Sequence, residues 1–210
     1  VHQRRISSEG GLPKVLTAED IAAFRERLCD VAEDKFAAHG ADGVTLRELA
    51  DALGVSPMTP YRYFTDKDAI LAAVRARAFT RFAEAMEEAE TKRSVRKTAF
   101  TGVLYVDWAM ANPAAYRLMF DTQQPTASNY PELVAAMARA RGTMTTVWKQ
   151  LQSDNHFKGD IEQAGHLMWA AQHGVVMLHL SGLLKPTQDA RKLVRRMIEA
   201  IARDLGMGRE

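Results

Sequence analysis

Residues 45–71 read TLRELADALGVSPMTPYRYFTDKDAIL, and this stretch decides the fold. Leu46, Leu49, Ala50 and Leu53 repeat at helical spacing and form one short apolar face. Thr45 is placed to cap that helix, with Glu48 three residues on as its capping-box partner. Gly54 then breaks it. Glycine supplies the left-handed backbone that a tight turn between two helices needs. Ala50 is small enough for a close crossing, and Leu49, Leu53 and Val55 make a shared core with the preceding helix. Ser56 is placed to cap a second short helix that projects outward. This is the plan of a helix-turn-helix, whose second helix enters a DNA major groove about 12 Å wide. That second helix has the wrong face for a core element, because Thr59, Tyr61, Arg62 and Tyr63 crowd two turns. Tyrosine packs its ring on sugars and donates its hydroxyl to phosphate. Lys67, at the start of the next helix, adds its charge to exposed backbone N–H groups, and both favour a phosphate. Tyr61 and Tyr63 would equally serve as packing between helices if the turn and caps were not in register with them.

Working outward, Leu28, Val31, Ala32, Phe36 and Ala37 place a helix upstream that stops at Gly40. Residues 1–15, with Arg4, Arg5, Gly10, Gly11 and Pro13, lack periodicity and read as a flexible arm, either simply disordered or touching DNA. Asp66 is placed to cap a helix from Lys67 to about Ala89, and the chain breaks near residues 91–94. Five further helices are predicted: about 95–111, 114–120, a long one ending near Leu151, about 160–184 and 187–205. A loop covers 121–131. No period-2 run of β-branched residues occurs, so the predicted fold class is all-α without a sheet. The expected organisation is an arm (1–15), a helix-turn-helix domain (16–66), a connecting helix (67–90) and a larger helical domain (91–210).

Composition limits the function classes. The 210 residues are 47% hydrophobic, enough for a substantial core, and no stretch approaches the roughly 20 apolar residues of a membrane span. No apolar run near the N-terminus resembles a signal peptide, and Cys29 is the single cysteine. The expectation is a cytoplasmic protein with no membrane partner. The net charge is only +2, and residues 1–78 hold 11 Lys/Arg against 12 Asp/Glu, so bulk charge alone does not point to DNA. His166, His173 and His179 share a helix without the i,i+4 spacing of a helical zinc pair. No catalytic pairing, zinc-protease motif or phosphate-cradling glycine loop is present. The expectation is therefore no enzyme, no metal and no cofactor.

At this point the chain resembles a family. Ser56, Thr59, Tyr61, Tyr63, Phe64 and Lys67 match the recognition signature of tetracycline-repressor (TetR) type regulators. Phe36, Gly40, Thr45, Leu49 and Ala50 match the same family's first two helices. The resemblance implies that Thr45, Ser56, Thr59, Tyr61, Tyr63 and Lys67 contact DNA, mostly its backbone. It places Pro57, Met58 and Arg62 where base edges are read, and Phe64 in the core. Pro60 departs from the family's aliphatic residue. Proline that far into a helix removes a hydrogen bond and perturbs the first turn.

The resemblance extends to a helical sensor and dimerisation domain. The strings NPAAYRLMF (112–120) and WAAQHG (169–174) look like the Trp-His-Gly type. Such a domain implies a pocket for a small apolar or aromatic effector, for which the candidates are Tyr105, Trp108, Tyr116, Met119, Phe120, Met137, Met144, Trp148, Trp169, His173 and Met177. Methionine and aromatic rings suit an adaptable apolar cavity, and they equally suit a packed core. His173 reads either as a ligand anchor or as a satisfied core histidine. The last two helices carry apolar faces too broad for one buried side, as expected of a homodimer interface. The implied function is a repressor that binds a palindromic double-stranded operator and is released by effector. An activator, or a ligand-independent regulator, is the alternative on the same fold.

Overall fold

The computed structural model describes residues 17–91, 98–121 and 126–207, so the arm predicted for 1–15 lies outside the described residues. These residues form eight α-helices and no strand. They are α1 (Ala18–His39), α2 (Leu46–Ala52), α3 (Lys67–Thr91), α4 (Thr98–Ala111), α5 (Pro113–Phe120), α6 (Pro131–Ser153), α7 (Ile161–Leu180) and α8 (Ala190–Asp204).

Local chemistry sets most of the boundaries. Thr17 and Asp20 form a capping box on α1, as Thr45 and Glu48 do on α2. Glu48 Oε2 accepts from the Thr45 backbone N–H at 2.7 Å, and this bond, then the Thr45 hydroxyl, holds its carboxyl below the usual carboxylate range. Gly54 takes φ +67°, the left-handed turn expected of it. Asp66 caps α3 by accepting from Ala69 N–H at 2.7 Å, Asp160 caps α7, and Asp189 caps α8. Two predicted ends move. The helix predicted to run to 184 stops at Leu180, because Gly182 turns left-handed at φ +68° and the N–H groups of Leu183 and Leu184 fold back onto the Leu178 carbonyl. The last helix begins at Ala190 rather than 187, behind its aspartate cap.

α3 is 25 residues, about 37 Å long, and is shared by two cores. Its first half joins Leu28, Phe36, Val44, Leu49 and Phe64 of the N-terminal domain. Its second half joins α4 to α8 through Phe79, Phe82 and Met86. α5 crosses the same boundary. Leu118 is buried in the N-terminal core, whereas its neighbour Met119 belongs to the core of the bundle.

Truncating Leu118 therefore opens a void in the DNA-binding domain from a residue of the bundle. We expect Leu118→Ala to cost about 2–5 kcal/mol, read as a lowered urea midpoint. An unchanged midpoint would show that α5 does not brace the N-terminal core.

Candidate nucleic-acid interface and sensor cavity

The segment after Gly54 is not the α-helix predicted from a Ser56 cap. Pro60 has no N–H to give the Ser56 carbonyl, and Thr59 N–H takes that carbonyl instead at 2.8 Å. Arg62 and Tyr63 continue with i→i−3 bonds, so residues 60–62 form a 3₁₀ turn. The Ser56 hydroxyl lies a long 3.4 Å from Met58 N–H. Pro60 itself is buried, so its ring is part of the anchor rather than an intrusion.

The segment is held from α1 by residues the sequence reading did not single out. Arg25 donates through Nη1 to the Tyr63 carbonyl at 2.8 Å and lies 4.2 Å over the Phe64 ring. Phe24 stacks on Tyr63 at 4.1 Å. Lys67 Nζ donates to the Ala41 carbonyl at 2.7 Å, tying the start of α3 to the turn after α1. Of the predicted DNA contacts, Thr45, Ser56, Pro57, Met58, Tyr61 and Arg62 are exposed. Met58 is 67% and Tyr61 51% accessible, unusual for large apolar rings and chains that have no partner to cover. Thr59, Tyr63 and Lys67 are half-buried, and Tyr63 and Lys67 already have internal partners. Phe64 is core, in line with the family pattern.

In the bundle a cavity of about 440 Å³ opens between α3, α5, α6 and α7. Seven predicted pocket residues meet at this cavity or at its neighbour. Tyr105, Met119, Phe120, Met137, Met144 and Trp169 line it. Trp148 lines an adjoining space of about 50 Å³ that shares Tyr105, Met144 and Trp169. The other four stand elsewhere. Trp108 packs edge-on against Phe82, and Met177 lies exposed on the outside of α7. Tyr116 and His173 sit behind the wall. Sequence reading missed Arg75, Phe79, Phe82, Arg141 and His166, which also line the cavity. The sole hint was the pair of arginines, Arg75 and Arg77, inside the otherwise apolar run LAAVRARAF.

Behind that wall, Trp169 Nε1 donates to Tyr105 Oη at 3.1 Å. Tyr105 and Tyr116 hydroxyls are 2.8 Å apart, and Tyr116 Oη lies 2.7 Å from His173 Nδ1. An indole can only donate. One proton order then satisfies every group: Tyr105 donates to Tyr116, which donates to Nδ1 of a neutral His173. Burial pushes the Tyr105 phenol up to about 12 and raises Tyr116 further, so both remain protonated donors. Burial also lowers His173 from its ordinary 6.5. Burial likewise raises Cys29, a packed thiol in the N-terminal core.

An exposed recognition surface on a helix-turn-helix, joined by one long helix to a cavity-bearing bundle, defines a DNA-binding transcriptional regulator. Residues 28–74 match the model for bacterial regulatory proteins of the tetR family, and residues 98–201 match that for the tetracyclin repressor-like C-terminal domain. Together they cover more than two thirds of the chain, and the chain belongs to the TetR family. It is 23% identical over 176 residues to the HTH-type transcriptional regulator Rv1816 of Mycobacterium tuberculosis, spanning 69% of this chain and 75% of that one. It is 33% identical over 97 residues to the HTH-type transcriptional repressor Rv1474c of the same species, covering 46% and 51%. Among solved structures, a protein of unknown function from Rhodococcus sp. RHA1 superposes with a TM-score of 0.76 at 24% identity, over 93% of this chain and 99% of that one. FadR of Bacillus subtilis in complex with stearoyl-CoA gives 0.70 at 15%, over 88% and 99%. These likenesses show the fold. No helix among the described residues is long and apolar enough to cross a membrane, and no group of side chains there could hold a metal ion.

The neutral, half-buried His173 has a consequence for stability. Its folded-state pKa lies below the unfolded value, so the unfolded chain binds the proton first as pH falls. The increment this adds to stability is complete above about pH 6.5 and falls away as pH drops below it. His173→Gln keeps an acceptor for Tyr116 but cannot titrate. We expect the fall in thermal midpoint from about pH 7.5 to about pH 5.5 to be smaller in the variant than in the parent. Parallel curves would show that His173 is not held neutral.

Proposed function

We propose that this chain is a repressor that binds a two-fold operator as a homodimer and is released when an effector enters the α3–α5–α6–α7 cavity. The observation that carries this reading is the position of α5. Met119 and Phe120 line the cavity, and Leu118, their neighbour, is packed in the core of the DNA-binding domain. An effector that displaces Met119 or Phe120 therefore moves a residue on which the recognition surface rests. Its differential affinity for the two arrangements sets the size of the switch, and DNA must weaken effector binding by the same factor. α3 is the covalent bridge between the domains, and α5 adds a second route across the same boundary. Rv1474c carries the name of a repressor, and the Bacillus subtilis FadR structure holds an acyl-CoA, in keeping with this reading.

In this reading Met58 and Arg62 meet base edges, while Thr45, Tyr61 and the remaining donors of Lys67 meet the backbone. Tyr63 acts from behind, as a support stacked on Phe24. The dimer face also shifts from the sequence reading. Ala164, Met168, Val175 and Val176 of α7, with Val194 and Ile198 of α8, are buried in the subunit's own core. The apolar groups left outward are Leu167, Met177 and Leu178 on α7 and Met197 on α8. These are the seam we assign to the partner, and pairing two recognition surfaces doubles the contacts on a palindrome.

Two experiments test this. Tyr61→Ala and Arg62→Ala alter exposed side chains, so folding is retained. Each should weaken binding to an operator selected from genomic fragments by about tenfold or more, measured by fluorescence anisotropy across several salt concentrations. Parental affinity in both would remove this surface from the interface. Leu178→Glu combined with Met197→Glu should convert a dimer to a monomer in light scattering and abolish operator binding. A dimer that survives both changes would place the seam elsewhere.

A further inference from the structure

The charges around the cavity say which kind of molecule it takes, and this inference rests on the sensor reading above. Several arginines of α3 to α8 have an assigned partner. Arg77 pairs with Glu26 and Asp30, Arg81 with Glu33, and Arg139 with Glu84 and Glu87. Arg117 donates to the Leu180 carbonyl, and Arg191 to Asp107. Arg141 differs. It lines the cavity, it is exposed at the edge, and it has no hydrogen-bond or ion-pair partner among the described residues. His166 beside it directs Nδ1 at the Glu162 carbonyl at 2.7 Å. Deeper in the wall, Arg75 is buried with Nε and Nη2 on the Leu118 and Met119 carbonyls, and Asp121 offsets part of its charge. No aspartate or glutamate lies among the described residues of the lining. The rest is Phe79, Phe82, Phe120, Trp169 and methionine.

We propose that the cavity binds an organic anion, an acidic headgroup on an apolar body, with the headgroup on the Arg141 guanidinium. A guanidinium without a carboxylate at the rim of an apolar cavity has a field that water alone screens. An entering anion replaces that water with two parallel N–H···O bonds. The same field disfavours a cation. A neutral molecule of equal length gains the apolar contacts alone. A cavity of about 440 Å³ lies within the range of small-ligand sites, and its aromatic walls take an alkyl chain or a ring equally well. Arg141 is thus the residue that sets specificity, and Arg75 adds positive potential from the inner wall.

The test uses the full chain and three probes of one length, each below its micellar concentration: decanoate, 1-decanol and decyltrimethylammonium. Binding is read by calorimetry and by Trp169 fluorescence. We expect decanoate to bind about tenfold or more tighter than decanol, and the ammonium compound more weakly than either. Arg141→Ala removes an exposed, unpartnered side chain, so the protein keeps its fold. It should erase the advantage of decanoate and leave decanol unchanged, while Arg141→Lys restores part of it. Equal affinity for decanoate and decanol overturns the proposal, as does an advantage that survives Arg141→Ala, or no binding of decanoate at all. Operator release separates this proposal from the sensor reading. Decanoate that binds through Arg141 but leaves DNA binding intact sinks the release mechanism and keeps the anion site. Decanol that binds as well as decanoate and releases DNA does the reverse.

Discussion

A single buried guanidinium ties α5 to α3 where the two halves of the molecule meet. The last four carbonyls of any helix lack partners within it, and in α5 two of them belong to Leu118 and Met119, buried at the domain boundary. Arg75, one residue past Val74 in the shared helix, answers two of them: Nε reaches the Leu118 carbonyl at 3.0 Å and Nη2 the Met119 carbonyl at 3.3 Å. Its charge also faces the negative end of the α5 dipole. Burial lowers its pKa, and the nearby Asp121 opposes that shift. Arginine suits this position because its proton affinity is far too high for desolvation to neutralise it at ordinary pH. Removing it would leave two buried carbonyls without donors and detach α5 from α3. Leu118 would then lose its place in one core while Met119 lost its place in the other.

Charge on the DNA-binding domain follows a similar logic. Counted by composition, residues 1–78 are net negative, which by itself runs against a polyanionic partner. In the fold, Glu26 and Asp30 meet Arg77, and Glu33 meets Arg81, across the α1–α3 contact. Glu48 and Asp20 serve as helix-cap partners. Much of the acid is therefore satisfied internally. Pairs of this kind contribute at most about 1 kcal/mol each to stability when exposed. Their larger effect is to leave Arg62 and Tyr61 on a surface whose local character is not that of the domain average.

What was legible in the sequence was local. The Thr45–Glu48 box, the Gly54 turn and the Asp66 cap each depend on residues within four positions of one another. The effect of Pro60 was legible too, because a missing N–H has the same consequence in any context, although the resulting 3₁₀ turn replaces the helix expected there. The illegible features are contacts across long separations. Arg25 reaches Tyr63 over 38 residues and Arg75 reaches Leu118 over 43, and no periodicity encodes either pairing. The pocket shows the same divide. Helical spacing marks Tyr105, Tyr116, Trp169 and His173 as inward alike. Which of them faces the cavity depends on how α4, α5 and α7 are rotated against each other. Tyr116 and His173 ended on the far side of Tyr105, and Met177 faced outward altogether.

That arrangement gives the cavity two unlike walls. On one side, the chain from Trp169 through Tyr105 and Tyr116 to His173 fixes four side chains with hydrogen bonds of 2.7–3.1 Å. Moving any one of them leaves a buried polar group without its partner, at a cost of about 1–3 kcal/mol. On the other side stand Met119, Met137 and Met144, unbranched thioethers that change rotamer readily. The hydrogen-bonded side chains belong to α4, α5 and α7 and the methionines to α5 and α6, so α5 contributes to both walls. α5 is also short, at 8 residues against the 23 of α6, and its Leu118 reaches into the N-terminal core. α5 thus reaches the hydrogen-bonded wall through Tyr116, the adaptable wall through Met119 and the N-terminal core through Leu118, which is why the proposed switch is argued through this helix.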